Sequence, residues 1–391
     1  MIIWKTVHGG KLMKIRSERV YTGKGFEPAV IVMENGTITG ILPYGSADED
    51  YGDRRIVPGF IDVHCHGAYG FDTDTADPAG LRNWTKKIVS DGVTSLLATT
   101  VTESTDVLMK AVRNVADVVR EGYEGARILG IHLEGPYLNV ERKGAQPEEA
   151  IVKGTPERFE ALQKEADGLI RIVTLAPECD ENHALIHYCA DHGIAASLGH
   201  SSATFEEAVS AFRDGAKSIT HTFNAMTPLH HRKPGLAGAA LRFHDQYSEI
   251  ICDCHHVSPD VLNIFFTCKD DDKAVMISDS LMCKGLPAGT KFIFGGQPCH
   301  MAEDGLAYLD GDGSIAGSTM HTNDGLKNLV TRAGVPFNKA LKACTCNPAH
   351  LIGYGDRKGM IRYGYDADLC VLNDDYSVEA TFVGGRKVFS L

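Results

Sequence analysis

The residues with the clearest chemical potential are histidines and carboxylates that close apolar runs. Pro58-Gly59-Phe60-Ile61-Asp62-Val63-His64-Cys65-His66-Gly67 is one such run, ending in His-x-His. In a strand, residues i and i+2 project to one side. His64 and His66 therefore form a pair able to grip one divalent metal, while Cys65 points away into packing. Ile131-His132-Leu133-Glu134-Gly135-Pro136 places a carboxylate at the end of a second run, where it suits a metal ligand that can bridge two ions. Ser197-Leu198-Gly199-His200-Ser201, Thr220-His221-Thr222-Phe223-Asn224-Ala225-Met226, Cys252-Asp253-Cys254-His255-His256-Val257 and Met276-Ile277-Ser278-Asp279-Ser280 repeat the arrangement. Taken singly, each histidine reads more readily as a loop residue than as a ligand, and Glu134 more readily as a surface cap. Metal-type residues at the same end of six runs argue jointly for a metal site. Imidazoles with one carboxylate leave a divalent ion cationic enough to bring the pKa of a water toward ~7. Asp279 stands on a different run, and can accept that water's proton and return it to a leaving nitrogen. The chemistry is metal-assisted hydrolysis. No cysteine ligand set or nucleotide motif accompanies the site, which disfavours a redox role.

The elements that must position these residues alternate. Short apolar strands are expected at Ile61–His64, Val93–Thr100, Arg127–Glu134, Leu169–Ala176, Ile194–Gly199, Ser218–Thr222, Glu249–Asp253 and Ala274–Ser278. Helical periods fall between them, as at Thr105–Arg120 and Thr204–Asp214, the latter entered by Ser202-Ala203-Thr204 with capping potential. Eight such units predict an α/β fold, a (β/α)8 TIM-like barrel, whose active site lies at the C-terminal ends of the strands. A doubly wound open sheet is the alternative, but the first strand is followed by no Gly-rich dinucleotide fingerprint. Both chain ends are β-rich. Lys14–Tyr21, Ala29–Glu34 and Thr37–Leu42 read as strands with Asn35-Gly36 as a hairpin turn; Ala367–Leu372 and Ala380–Val388 follow suit, with Gly384-Gly385 as the turn. The expected division is 1–54 and 355–391 as the two parts of a small β-sandwich, and 55–354 as the catalytic barrel.

Composition narrows the partners. Lys and Arg number 39 against 51 Asp and Glu, a net charge of −12. That balance argues against a nucleic-acid or anionic-membrane surface, and no apolar run approaches the ~18 residues of a membrane span. The 11 cysteines include no CxxC pair and read as reduced, buried thiols. Met1–Lys14 lacks the apolar stretch and cleavage site of a signal peptide, so a cytoplasmic protein is expected.

Several longer motifs occur in order: HLEGP, LGHS, THTFNAM, RKPGLAGA and ISDS, then GLPAGTKFIFGG, DGSIAGSTMHTNDGLKNLV and NPAHLIG. The His-x-His of the first strand, with His after the fifth and sixth and Asp after the eighth, resembles the amidohydrolase superfamily. The ordered run resembles the N-acetylglucosamine-6-phosphate deacetylases, from about Met13 to the C-terminus. This resemblance implies that His64, His66 and Glu134 hold one divalent ion, zinc or iron. It implies that Glu134, His200 and His221 hold a second, with Glu134 bridging. Some members keep only the Glu-His-His ion and lack His-x-His, so one or two ions per subunit are expected. Leu175-Ala176-Pro177-Glu178 supplies no lysine at the fourth strand's end, so no carboxylated lysine is expected.

Asp279 would be general base and then general acid. The implied substrate is a small amino-sugar phosphate, N-acetyl-D-glucosamine 6-phosphate, cleaved to D-glucosamine 6-phosphate and acetate. Arg232 lies in a cationic Arg-Lys-Pro-Gly segment and offers planar bidentate donors suited to phosphate, although alone it reads equally as a solvated charge. The resemblance adds His256, Asn224 and the Ala225 backbone N–H as phosphate contacts, and a homodimer whose interface lies near them. Many members carry His where Lys143-Gly144-Ala145-Gln146 ends in Gln. Gln146 keeps an amide donor without a charge, and is read as a substrate contact. Met1–Leu12 precedes the family's usual start and receives no function. The competing readings are an amidohydrolase for another N-acetyl sugar phosphate or a cyclic amide, and a silent binding barrel. Intact His64, His66, Glu134, His200, His221 and Asp279 argue against the latter.

Overall fold

A computed structural model describes residues 12–311 and 313–391; the segment before Leu12, including most of the expected extension, lies outside the described residues. Eight parallel strands follow one another in chain order: Phe60–Cys65, Val93–Thr100, Arg127–Glu134, Ile170–Leu175, Ala195–Leu198, Ser218–Ile219, Ser248–Ile251 and Ala274–Ile277. The first six form one hydrogen-bonded sheet and the last two a pair. Backbone bonds reach across both gaps, from Thr222 N–H to the Glu249 carbonyl (2.8 Å) and from Asp279 N–H to the His64 carbonyl (2.9 Å). One apolar cluster draws on seven of these strands, through residues such as Ile61, Leu97, Leu129, Ile172, Ala195, Ile251 and Val275. Side chains from so many strands meet only if the sheet curls around them, and the domain is accordingly TIM-like. All eight residues of Val93–Thr100 are buried, the pattern of a parallel strand covered on both faces.

Helices cover the outside. Thr105–Glu121 starts at Ser104, whose hydroxyl accepts from the Val107 N–H. It buries Leu108, Ala111, Val112, Val115 and Val119, spaced by three and four residues along one stripe. Phe205–Arg213 begins with a reciprocal capping box between Thr204 and Glu207, as its sequence anticipates.

Both chain ends join in one hydrogen-bonded sheet of eight strands. Met13–Tyr21, Phe26–Glu34 and Thr37–Pro43 form its meander; Asn35 and Gly36 both take positive φ (50° and 83°), as a tight hairpin turn requires. Leu369–Leu372, Val378–Val383 and Arg386–Ser390 complete the other side. Arg55–Pro58 pairs with Leu369–Leu372 and with the Met13–Tyr21 strand, so the sheet extends past the residue-54 boundary expected for it. Its core is separate, built on residues such as Ile15, Ile31, Ile38, Ile56, Val371 and Phe382.

One element was not anticipated. After the eighth parallel strand, Lys291–Phe294, Gln297–Met301, Ala307–Leu309 and Ile315–Gly317 form a four-stranded antiparallel sheet. Phe292, Phe294, Cys299 and Leu309 pack it onto Leu281 and Val101 beside the site. All 11 cysteines are free thiols, and no helix among the described residues is long and apolar enough to cross a membrane.

Candidate active site

Each cluster residue stands at or just beyond a parallel strand's C-terminal end. His200, His221 and Asp279 leave their strands in the left-handed region, at φ 48°, 24° and 49°. Such backbone costs of order 1–3 kcal/mol per residue and persists where the surroundings over-determine it. Ser218–Ile219 is shorter than the expected Ser218–Thr222 because the chain turns at His221. Gly199 allows the fifth strand its approach: a Cβ there would lie 2.6 Å from that of Thr220.

The side chains converge on Glu134. Its Oε1 lies 3.1 Å from His221 Nε2, 3.3 Å from His200 Nε2 and 3.4 Å from His64 Nε2; its Oε2 lies 3.3 Å from His66 Nε2. Asp279 Oδ1 lies 3.4 Å from His64 Nε2 and 3.3 Å from His66 Nε2. Three groups of possible ligands emerge: His64-His66-Asp279, Glu134-His200-His221, and His64-His132-Glu249, which lies behind the His64 ring. Glu134 thus touches the first two.

Burial opposes charge on His64 and His66, but the Asp279 and Glu134 carboxylates outweigh it; His64 is raised well above the ordinary value and His66 to about 9. Burial likewise opposes charge on the two carboxylates, and the histidines hold both below the usual range, so both are ionised. The residues fit a divalent ion. His64 Nε2 is buried without a hydrogen-bond partner, and the His200 and His221 Nε2 atoms face each other at 3.1 Å beside one carboxylate oxygen. Nitrogen and oxygen donors of this kind suit zinc or iron.

Several surrounding groups escaped the sequence reading. Glu249, fully buried on the seventh strand, lies 3.0 Å from His64 Nδ1. It is the one charged residue of the four-residue strand Ser248–Ile251, a visible signal. His132 donates from Nδ1 to the Val63 carbonyl (3.0 Å) and accepts at Nε2 from Thr174 (2.8 Å). Burial, then His64, hold it well below the ordinary histidine value, so it stays neutral. Thr174, Thr220 and Ser197 continue as a buried file of hydroxyls spaced 2.8 and 2.7 Å. Phe294, on the unanticipated sheet, meets His66 edge-on at 5.1 Å.

Gln146 is buried, and both ends of its amide are engaged within the protein. Nε2 donates to Glu134 Oε2 (2.7 Å), and Oε1 accepts from the Thr102 N–H (2.6 Å). The Arg142 carbonyl on the same loop accepts from His200 Nδ1 at 2.8 Å.

The residues assigned to phosphate are more scattered. His256 is nearly buried, and its Nδ1 lies 2.5 Å from Asp253 Oδ2. Burial opposes its charge, but Asp253 outweighs this and raises it above the ordinary value. Asn224 and Ala225 occupy the turn after the sixth strand, where Ala225 takes φ 50° and Asn224 N–H donates to the His221 carbonyl (3.0 Å). Arg232 is not brought to the cluster. It sits exposed on the His230–Lys233 turn, with Nη1 2.7 Å from His231 Nε2.

Comparison with known proteins adds to this geometry. A model of the amidohydrolase family matches residues 55–388. The N-acetylglucosamine-6-phosphate deacetylase of Bacillus subtilis (strain 168) is 37% identical over 350 residues, covering 89% of this chain and 88% of that protein. The N-acetylgalactosamine-6-phosphate deacetylase of Escherichia coli O157:H7 is 30% identical over 373 residues, 95% of this chain and 98% of that protein. A mutant N-acetyl-D-glucosamine-6-phosphate deacetylase from Mycobacterium smegmatis, solved in complex with N-acetyl-D-glucosamine-6-phosphate, matches with a TM-score of 0.92 at 29% identity, over 97% of this chain and 100% of that one. The chain belongs to the amidohydrolase family and, within it, to the N-acetylglucosamine-6-phosphate deacetylases.

Proposed function

We propose that the protein hydrolyses the acetamide of N-acetyl-D-glucosamine 6-phosphate, releasing D-glucosamine 6-phosphate and acetate. The observation that carries this reading is the convergence of four histidines on the two oxygens of Glu134, with Asp279 against two of them, inside a chain of this family. His64, His66 and Glu134, with Asp279 beside them, would hold one divalent ion, zinc or iron, and Glu134, His200 and His221 would hold a second. A bound ion supplies Lewis acidity, which lowers the pKa of water toward ~7 and takes up negative charge on the acetyl oxygen. Asp279, already ionised, accepts the proton of the attacking water as its oxygen bonds to the acetyl carbon. It then delivers that proton to the amine nitrogen as the C–N bond breaks. Gln146 holds Glu134 through one amide hydrogen and offers the other to the acetyl group.

His256, Asn224, the Ala225 N–H and Arg232 bind the 6-phosphate. Arg232 stands away from the cluster, which supports a homodimer in which a second copy closes over this end; exposed Leu229 on the same loop is consistent with such a contact. The catalytic unit, about residues 59–354, is a closed (β/α)8 barrel, and residues 13–58 with 355–391 form the small β-sandwich. The enzyme works in the cytoplasm; its net charge of −12 suits neither nucleic acid nor an anionic membrane as partner.

Acetate release tests the reading. Robust turnover of N-acetyl-D-glucosamine 6-phosphate and a large drop for the unphosphorylated sugar are expected. An unchanged specificity constant without the phosphate removes Arg232 and His256 from binding. A second reading, preference for the galactosamine epimer, is favoured by the similarity to the Escherichia coli relative, and the same assay with both epimers decides between them.

A further inference from the structure

We propose that Glu249 is a positioning residue for the first ion: its carboxylate fixes the His64 ring so that Nε2 faces the metal. The proposal rests on the reading that both ligand sets hold an ion. Glu249 has no exposed surface, and carboxylates are almost never fully buried unless paired. Its partner is His64 Nδ1, 3.0 Å from Oε2, while Oε1 has no hydrogen-bond partner. The other His64 nitrogen, Nε2, lies 3.4 Å from both Glu134 Oε1 and Asp279 Oδ1 and has no hydrogen-bond partner either. The ring is thus divided. In the neutral ring that an ion requires, Nδ1–H would donate to Glu249 and leave the Nε2 lone pair for the ion. A carboxylate behind a ligand imidazole fixes its tautomer and makes it a stronger donor.

The other ligand histidines lack this support. His200 Nδ1 donates to a neutral carbonyl, that of Arg142. His66 Nδ1 and His221 Nδ1 are buried without a partner. His132 stands edge-on to the His64 ring at 4.4 Å, and is itself held at both nitrogens, so it walls the ring into place. Glu249 therefore acts selectively on the His64-His66-Asp279 position.

Metal stoichiometry and affinity test this without relying on activity. Metal-free protein is titrated with Zn2+ against a chromophoric chelator, and Co2+ spectra are recorded for the wild type, Glu249→Gln, His64→Asn and the double variant. The wild type is expected to bind two equivalents. Glu249→Gln weakens one of the two by about 10–100-fold, leaves the other within twofold, and alters the Co2+ absorption of the weakened site alone. In the His64→Asn background, Glu249→Gln adds nothing. If Glu249→Gln fails to fold, Glu249→Asp, which keeps the charge but retracts it, gives a smaller loss confined to the same ion. Wild-type affinity for both ions in Glu249→Gln, or equal weakening of both, overturns the proposal. A wild type that binds one equivalent instead overturns the two-ion reading, and the proposal falls with it.

Discussion

The cluster around Glu134 and the loop that carries Arg232 belong to one proposed site, yet they are built differently. Every member of the cluster is buried, sits at a strand end and is held by neighbours within this chain. Arg232 is exposed, rides on a turn, and meets its neighbours His230 and His231. His256 lies between these extremes, nearly buried and clamped by Asp253. The difference follows the work required. Bond-breaking groups need fixed separations in a dry setting, which strand ends on a packed barrel provide. A long guanidinium can reach from an exposed turn and needs no such fixed support.

This contrast can be broken in order of effect. Stripping ions with a chelator should reduce turnover to background, and adding back Zn2+ or Fe2+ should restore it; a stripped enzyme that keeps a tenth of its rate removes the cluster from the chemistry. Asp279→Asn should lower kcat by roughly 10²–10⁴ with bound metal retained and KM little changed. Near-normal turnover of that variant excludes Asp279 as the proton carrier. Arg232→Ala loses a charge-assisted hydrogen bond of about 1.5–3 kcal/mol, and should lower kcat/KM for the phosphorylated substrate by roughly 10–10² with kcat nearly intact. An equal fall in kcat would mean that the exposed loop also shapes the chemistry.

The smallest effect concerns pH. His256 is raised above the ordinary value of 6.5, so its charge is complete below that value and is lost as pH rises through the raised one. KM for the phosphorylated substrate should climb on the alkaline side of 6.5. Asp253→Asn removes the cause and moves that climb toward lower pH, by a few-fold in KM near neutrality. An unmoved profile separates His256 from phosphate binding.

Legibility varied with how much local pattern each element carries. Val93–Thr100 and Arg127–Glu134 lie where their apolar runs place them, since turn residues bound those runs. The four-stranded sheet was invisible because its strands span three to five residues and Lys291–Phe294 alternates exposed with buried, too short a signal to stand out. The clustering of His64, His66, Glu134, His200, His221 and Asp279 followed from periodicity and strand order. What each side chain bonds to did not. The residue type of Gln146 suggested an amide free for substrate, whereas its two ends reach Thr102 and Glu134. Glu249 passed unmarked in the expected strand Glu249–Asp253, and only the folded arrangement shows that it meets His64.

The strand Arg55–Pro58 runs through Gly59 directly into Phe60–Cys65, and it pairs with Leu369–Leu372. During synthesis the His-x-His segment therefore emerges roughly 300 residues before the strand that anchors its base. At about 5–20 residues per second the wait is roughly 15–60 s. The nascent chain must carry paired imidazoles through that interval with their support unfinished. The strand beneath the reactive centre pairs early with Met13–Tyr21 and gains its second neighbour only when the C-terminal strands arrive.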